Sequence, residues 1–272
     1  MPDRFPKRIV CLTEETTETL YLLGEEERIV GISGFTVRPP RARQEKPRVS
    51  AFTSARIDKI LALDPDLVLG FSDLQADIAA ELIRQGIEVH VFNQRSLDEI
   101  LRMIVQLGSL VGAGAKAMDW VTDWERSASE MRRARSAPEE RPRVYFEEWD
   151  DPIITGIRWV SELVELAGGR DCFPENAAQP LGRNRIVADP REVVKRSPDI
   201  IIGSWCGKKF RPQRVAEREG WGDIPAVRRG DIFEIKSALI LQPGPAALTA
   251  GLDQLRNIIS RWEAKRSPGK DV

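Results

Sequence analysis

One histidine, two tyrosines and three cysteines in 272 residues leave little for metal or nucleophilic chemistry. Catalytic zinc, histidine-ligated haem and a Ser–His–Asp triad each need more imidazole than His90 provides, or another partner for it. Cys11, Cys172 and Cys206 cannot all pair within one chain, and no Cys-x-x-Cys occurs. A disulfide framework is therefore excluded, and at most one bridge remains. Charge of one sign is missing too, since 41 Lys and Arg against 42 Asp and Glu give a formal net charge of −1. That is no footprint for nucleic acid. Apolar runs such as Ile9–Leu12 and Leu20–Leu23 fall far short of the roughly 18 residues of a membrane span. There is no Gly-rich phosphate loop. Met1–Arg8 carries basic charge with no apolar stretch behind it, so no secretory signal is expected in the chain as it stands. On that reading the protein is cytosolic, or a mature form restarted at a methionine.

What is present is ordinary globular composition, 42% hydrophobic and 31% charged. It suits one large domain or two smaller ones. The sequence also repeats itself. Asp58–Ser72 and Val193–Trp205 each read as a short helical stretch, a Pro-Asp pair (Pro65-Asp66, Pro198-Asp199), three apolar residues and a glycine. Proline ends the helix and favours an extended predecessor. The apolar triplet that follows suits a strand buried on both faces. Two further matches flank this one in the same order. Arg8–Leu12 pairs with Arg143–Glu147, each an opening strand followed by an acidic loop and a helix that stops at Gly24 or Gly168-Gly169. Gly86–Phe92 pairs with Gly230–Ile235. Chance likeness of two α/β stretches is the plainer alternative, but three matches in register favour duplication.

The fold class expected is α/β, with two parallel-sheet lobes bridged by one long helix and a ligand cleft between the lobes. Residues 1–96 form the first lobe and 97–141 a helical linker; 142–272 form the second lobe, frayed after Trp262. Within the linker, Ala117, Trp120, Val121, Trp124, Ala128 and Met131 lie at helical spacing. This predicts a helix over about 115–135, with both tryptophans packed into the core.

Open parallel sheets bind ligands beyond the carboxyl ends of their strands. Those ends carry aromatic residues with interleaved arginines: Phe35 and Arg38, Phe52, Phe71, Trp149, Arg158, Arg185 and Trp205. Stacking faces with planar donors suit a flat, partly polar ligand. His90 alternates with valines in a strand and reads as a packed side chain. Glu14, Glu15 and Glu18 read as a solvated helix start. The acids Glu147, Glu148, Asp150 and Asp151 read as rim charge, without the spacing of a calcium loop.

Pro6–Leu12 with Thr17–Leu20 and Leu23-Gly24, Ile29–Ser33, Leu61–Val68 and Ile224–Phe233 resemble the helical-backbone substrate-binding proteins of ABC importers. The branch most resembled binds cobalamin; other branches take ferric siderophores or haem. The resemblance implies a non-enzymatic monomer, periplasmic, with no intrinsic cofactor and no metal. A cobalamin-like corrinoid is its ligand, and an ABC permease dimer with its ATPase is its partner. The cytoplasmic alternative, a corrinoid or tetrapyrrole sensor without a transporter, stays open. So do a siderophore or haem binder of the same fold and, weakest, a chelatase using the acidic loops. Carried over, the branch's aromatic cleft positions fall on Phe35, Phe52, Phe71 and Phe92, with Trp149 and Trp205 less securely aligned. Arg38 stands where that branch has an aromatic residue, which points to an anionic group on the ligand. Asp77 falls near the first of two permease-docking acids, and Glu217 or Glu219 would be the second.

Overall fold

Ile9–Cys11 (β1) is buried along its length because it is paired on both edges. The computed structural model describes residues 4–266 and places β1 at the centre of a five-stranded sheet. Its neighbours are Ile29–Ser33 (β2), Arg48–Ser50 (β3), Leu67–Phe71 (β4) and Val89–Phe92 (β5). The order is β3-β2-β1-β4-β5, with every pairing parallel. The chain builds outward from β1 on one flank, then crosses to β4 on the other. The switch between β1 and β4 is where such a sheet opens for a ligand.

The second sheet contains Arg143–Asp150 (β6), Ile153–Thr155 (β7), Arg170–Asp171 (β8), Ile200–Gly203 (β9) and Ile232–Glu234 (β10). Its order is β10-β9-β6-β7, with β8 also on β6. The parallel path β8-β6-β9-β10 repeats β2-β1-β4-β5, so the duplication read from the sequence is a duplication of topology. The departure is β7, which pairs antiparallel to β6. Glu148, Trp149 and Asp150, expected in a loop, extend β6 to eight residues, and Trp149 sits opposite Ile154. The second sheet is therefore mixed rather than parallel.

The Pro-Asp pair acquires a physical role. In the first half the Asp66 carboxylate accepts from the backbone N–H of Lys7 (2.7 Å) and of Arg8 (2.9 Å). In the second, Asp199 accepts from the Arg143 N–H at 3.1 Å. Each aspartate pins the start of one central strand to the start of the next. The glycines closing the two apolar triplets are explained by what folds back over them. A Cβ on Gly70 would meet Gln75 Oε1 at 3.0 Å, and one on Gly203 would meet the Phe210 ring at 1.9 Å. Gly203→Ala must displace Phe210 from its edge contact with Trp205 (centroids 4.8 Å apart). We expect a stability loss of about 1–3 kcal/mol, read from urea unfolding, because overpacking a filled core forces side chains off their rotamers. A neutral Gly203→Ala would show that the ring is free to move.

Helix Gly114–Arg133 realises the expected long helix, two residues shorter at its end. Ala117, Val121 and Ala128 are buried along it, whereas Trp120 and Trp124 are only half-buried, because the wider stripe they belong to reaches the helix flank. The chain falls into two compact units. One takes the chain as far as Gln94, with Asp98–Glu125 and Gln242–Ala246; the other takes Arg95–Leu97, Arg126–Leu241 and the chain from Ala247 on. Leu252–Arg266 is a helix packed through Leu255, Ile259 and Trp262, so fraying does not begin at Glu263; the rest of that expectation, 267–272, lies outside the described residues.

Candidate functional site

In the first unit the loops beyond the strand ends are tied together by one buried side chain. Gln75 accepts from the Phe71 N–H (2.9 Å) and donates to the carbonyls of Phe52 (2.9 Å) and Leu12 (3.4 Å). It joins the exits of β1, β3 and β4, and nothing in a lone glutamine of the sequence marked it. Ser72, between them, takes a left-handed φ of 62° and caps the next turn through its side chain.

The acids of helix Glu14–Leu23 are not solvated, contrary to the sequence reading. Glu14 is 8% exposed and Glu15 1%. Burial, with the neighbouring Glu15 charge, pushes Glu14 up to about 8; burial pushes Glu15 up to about 7 against a hydrogen bond from Thr13. Glu18 is committed on both oxygens, one to Arg38 Nε (2.8 Å) and one to the Ala246 N–H (3.0 Å). Of the four phenylalanines, Phe35 is 57% exposed and Phe52 half-buried. Phe71 and Phe92 are buried at the ends of β4 and β5, Phe92 with His90 at 4.3 Å between rings.

In the second unit Glu147 is the hub. It is fully buried, not a rim charge, because it lies on the inward side of β6. One carboxylate oxygen accepts from Trp205 Nε1 (3.0 Å) and the other from the Tyr145 hydroxyl (2.7 Å), while Arg218 donates to both (2.9 and 2.6 Å). Burial, then the Glu147 charge, holds the Tyr145 hydroxyl well above its ordinary range. Trp205 is thus an interior side chain with its N–H in use. Trp149 stays half-buried, its N–H donating to the Asp151 carbonyl (2.8 Å), with Lys208 Nζ 5.3 Å from its ring centre. Lys208 is anchored on Asp150 at 2.7 Å.

The arginines expected to meet a ligand are engaged within the protein. Arg185 is 2% exposed and grips Glu148 (2.6 and 3.1 Å) and the Thr155 carbonyl. Its side chain belongs to the interior, which removes it from the ligand-facing set. Arg158 faces solvent and bonds Glu162 at 2.9 Å. Asp77 is exposed on the first turn of helix Ala76–Arg84, and Glu217 and Glu219 are exposed as well. Among the described residues no three His, Cys, Asp or Glu side chains are grouped to hold a metal ion, and no helix is long and apolar enough to cross a membrane. Burial pushes the thiols of Cys11 and Cys172 up to about 12, which leaves both inert as nucleophiles.

Residues 9–239 match the periplasmic binding protein family. The chain belongs to that family. Its members are binding proteins for ABC transport rather than enzymes. The chain is 25% identical over 252 residues to a vitamin B12-binding protein of Vibrio parahaemolyticus, covering 90% of this chain and 86% of the relative. It is 25% identical over 268 residues to an uncharacterized ABC transporter substrate-binding lipoprotein of Bacillus subtilis, covering 93% and 80%. In fold it is similar to the apo periplasmic heme-binding protein of Roseiflexus sp. RS-1, with a TM-score of 0.75, 22% identity, and 93% and 99% of the two chains covered.

Proposed function

We propose that this protein captures a cobalamin-like corrinoid outside the cytoplasm and delivers it to an ABC importer. Phe35 carries the reading: a large aromatic face, 57% exposed, in the loop beyond β2. An exposed aromatic face at a strand exit is a surface on which a broad conjugated ligand can stack. Phe52 and Trp149, both half-buried, supply further faces at strand ends. The vitamin B12-binding relative, matched along 90% of this chain, supports the same ligand. Asp77, exposed and on a first helical turn, is the residue we assign to the permease. Haem, named for the Roseiflexus protein, is the second reading. It asks for an axial His, Cys, Met or Tyr. His90 lies within β5, Tyr145 is sealed against Glu147 and Tyr21 is bonded to Glu45 at 2.6 Å, which leaves the exposed Cys206 and Met118 as the side chains that reading would have to use.

Titration calorimetry with cyanocobalamin tests the proposal. One site per chain is expected, with quenching of tryptophan emission, and Phe35→Ala weakening binding by about 1–3 kcal/mol as a stacking contact. No heat and no quenching at tens of micromolar ligand would exclude cobalamin.

A further inference from the structure

We infer that Glu18 is a specificity-determining residue: by neutralising Arg38 it keeps the first unit from accepting ligands with a carboxylate edge. The inference rests on the corrinoid reading for its neutral probe only. Arg38 lies three residues beyond the exposed Phe35, in the loop that leaves β2. An arginine there is the natural fork for an anionic ligand group. Its Nε is instead held at 2.8 Å by Glu18, whose other oxygen is fixed by the Ala246 N–H at 3.0 Å. The Arg38 side chain is 35% exposed and Glu18 only 13%, so the cation can be approached but its charge is already matched.

Glu14 and Glu15 lie on the same helical turn, and Glu14 accepts a hydrogen bond from the backbone of Val37, the residue before Arg38. Arg43 is the cation felt by Glu14 in return. Elsewhere the pattern repeats, with Arg158 on Glu162, Arg185 on Glu148 and Lys208 on Asp150. An incoming carboxylate would have to compete with Glu18 for the Arg38 guanidinium. A ligand edged with neutral amides pays no such penalty.

The test compares cyanocobalamin, its monocarboxylate (one side-chain amide hydrolysed) and haemin, which carries two propionates. Wild type is expected to prefer cyanocobalamin to its monocarboxylate at least tenfold. Glu18→Gln keeps an acceptor for the Ala246 N–H while freeing the guanidinium. It should narrow that ratio at least tenfold and strengthen haemin binding to a similar degree; the Glu18→Gln/Arg38→Gln double variant should reverse both. Glu18→Ala, which frees the guanidinium at the cost of the Ala246 acceptor, should move both affinities in the same direction as Glu18→Gln, and it reads the same claim should Glu18→Gln fail to fold. An unchanged ratio in Glu18→Gln overturns the inference, as does wild-type binding of carboxylate ligands that Arg38→Gln abolishes. If no corrinoid binds, the corrinoid reading falls and the haemin arm decides the switch alone. A gain with Glu18→Gln that Arg38→Gln reverses supports it, and no gain sinks it.

Discussion

Glu147→Ala is expected to destabilise the protein by about 3–5 kcal/mol, the cost typical of removing one partner from a buried ion pair. The loss has three sources at once. Arg218 keeps its charge in a largely buried position without a counter-ion, and both the Trp205 N–H and the Tyr145 hydroxyl lose their acceptor. Each orphaned donor adds its desolvation cost. Arg218→Ala should be similarly damaging, since it leaves the carboxylate buried and unpaired. The double variant should cost less than the sum of the two, because removing both charges removes the mismatch. Urea unfolding of the four proteins measures this coupling. A change below about 1 kcal/mol in Glu147→Ala would mean that the network is not a structural hub.

The second large effect is a dependence of stability on pH through Glu14 and Glu15. Their folded values, about 8 and about 7, stand above the ordinary 4.5. Across the window from about 4.5 to 8 the folded chain therefore holds protons that the unfolded chain has released. Stability from these groups is complete below the ordinary value and is lost as pH rises through 7 and 8, by several kcal/mol in all. Unfolding at pH 5.5 should thus require more urea than at pH 8.5. The Glu14→Gln/Glu15→Gln variant, which cannot ionise at either site, should flatten the difference and be the more stable protein at pH 8.5. A wild type that gains stability over this interval would show that both carboxylates are already charged in the fold.

Sequence reasoning succeeded where a rule acts locally. Pro65-Asp66 and Pro198-Asp199, each followed by an apolar triplet and glycine, fix strand starts within a few residues, so the repeated topology could be read from spacing. It failed where the outcome depends on which residues meet across the chain. Glu18 and Arg38 are 20 positions apart, and Glu147 and Arg218 are 71 apart. No periodicity announces such a pair. Acids near a helix start or a strand end look the same in sequence whether solvated or buried, which is why Glu14, Glu15 and Glu147 were misread. Trp149 in β6 shows another limit. The antiparallel return of β7 is set by a two-residue turn at Asp151-Pro152, too short to separate from a loop by composition. Arg185 was legible as an arginine near a strand end, but its inward turn onto Glu148 was not.

The three loop exits joined by Gln75 cannot rearrange independently, since shifting any one of them breaks a hydrogen bond to the same buried amide. The rim of the first unit is in effect cast before any guest arrives. A receptor of this kind spends little entropy on ordering itself, so more of the contact energy survives as affinity. Capture then approaches the rate of orientated collision, because no segment has to fold around the guest first. For a binding protein, that rigidity sets how quickly a passing guest is retained.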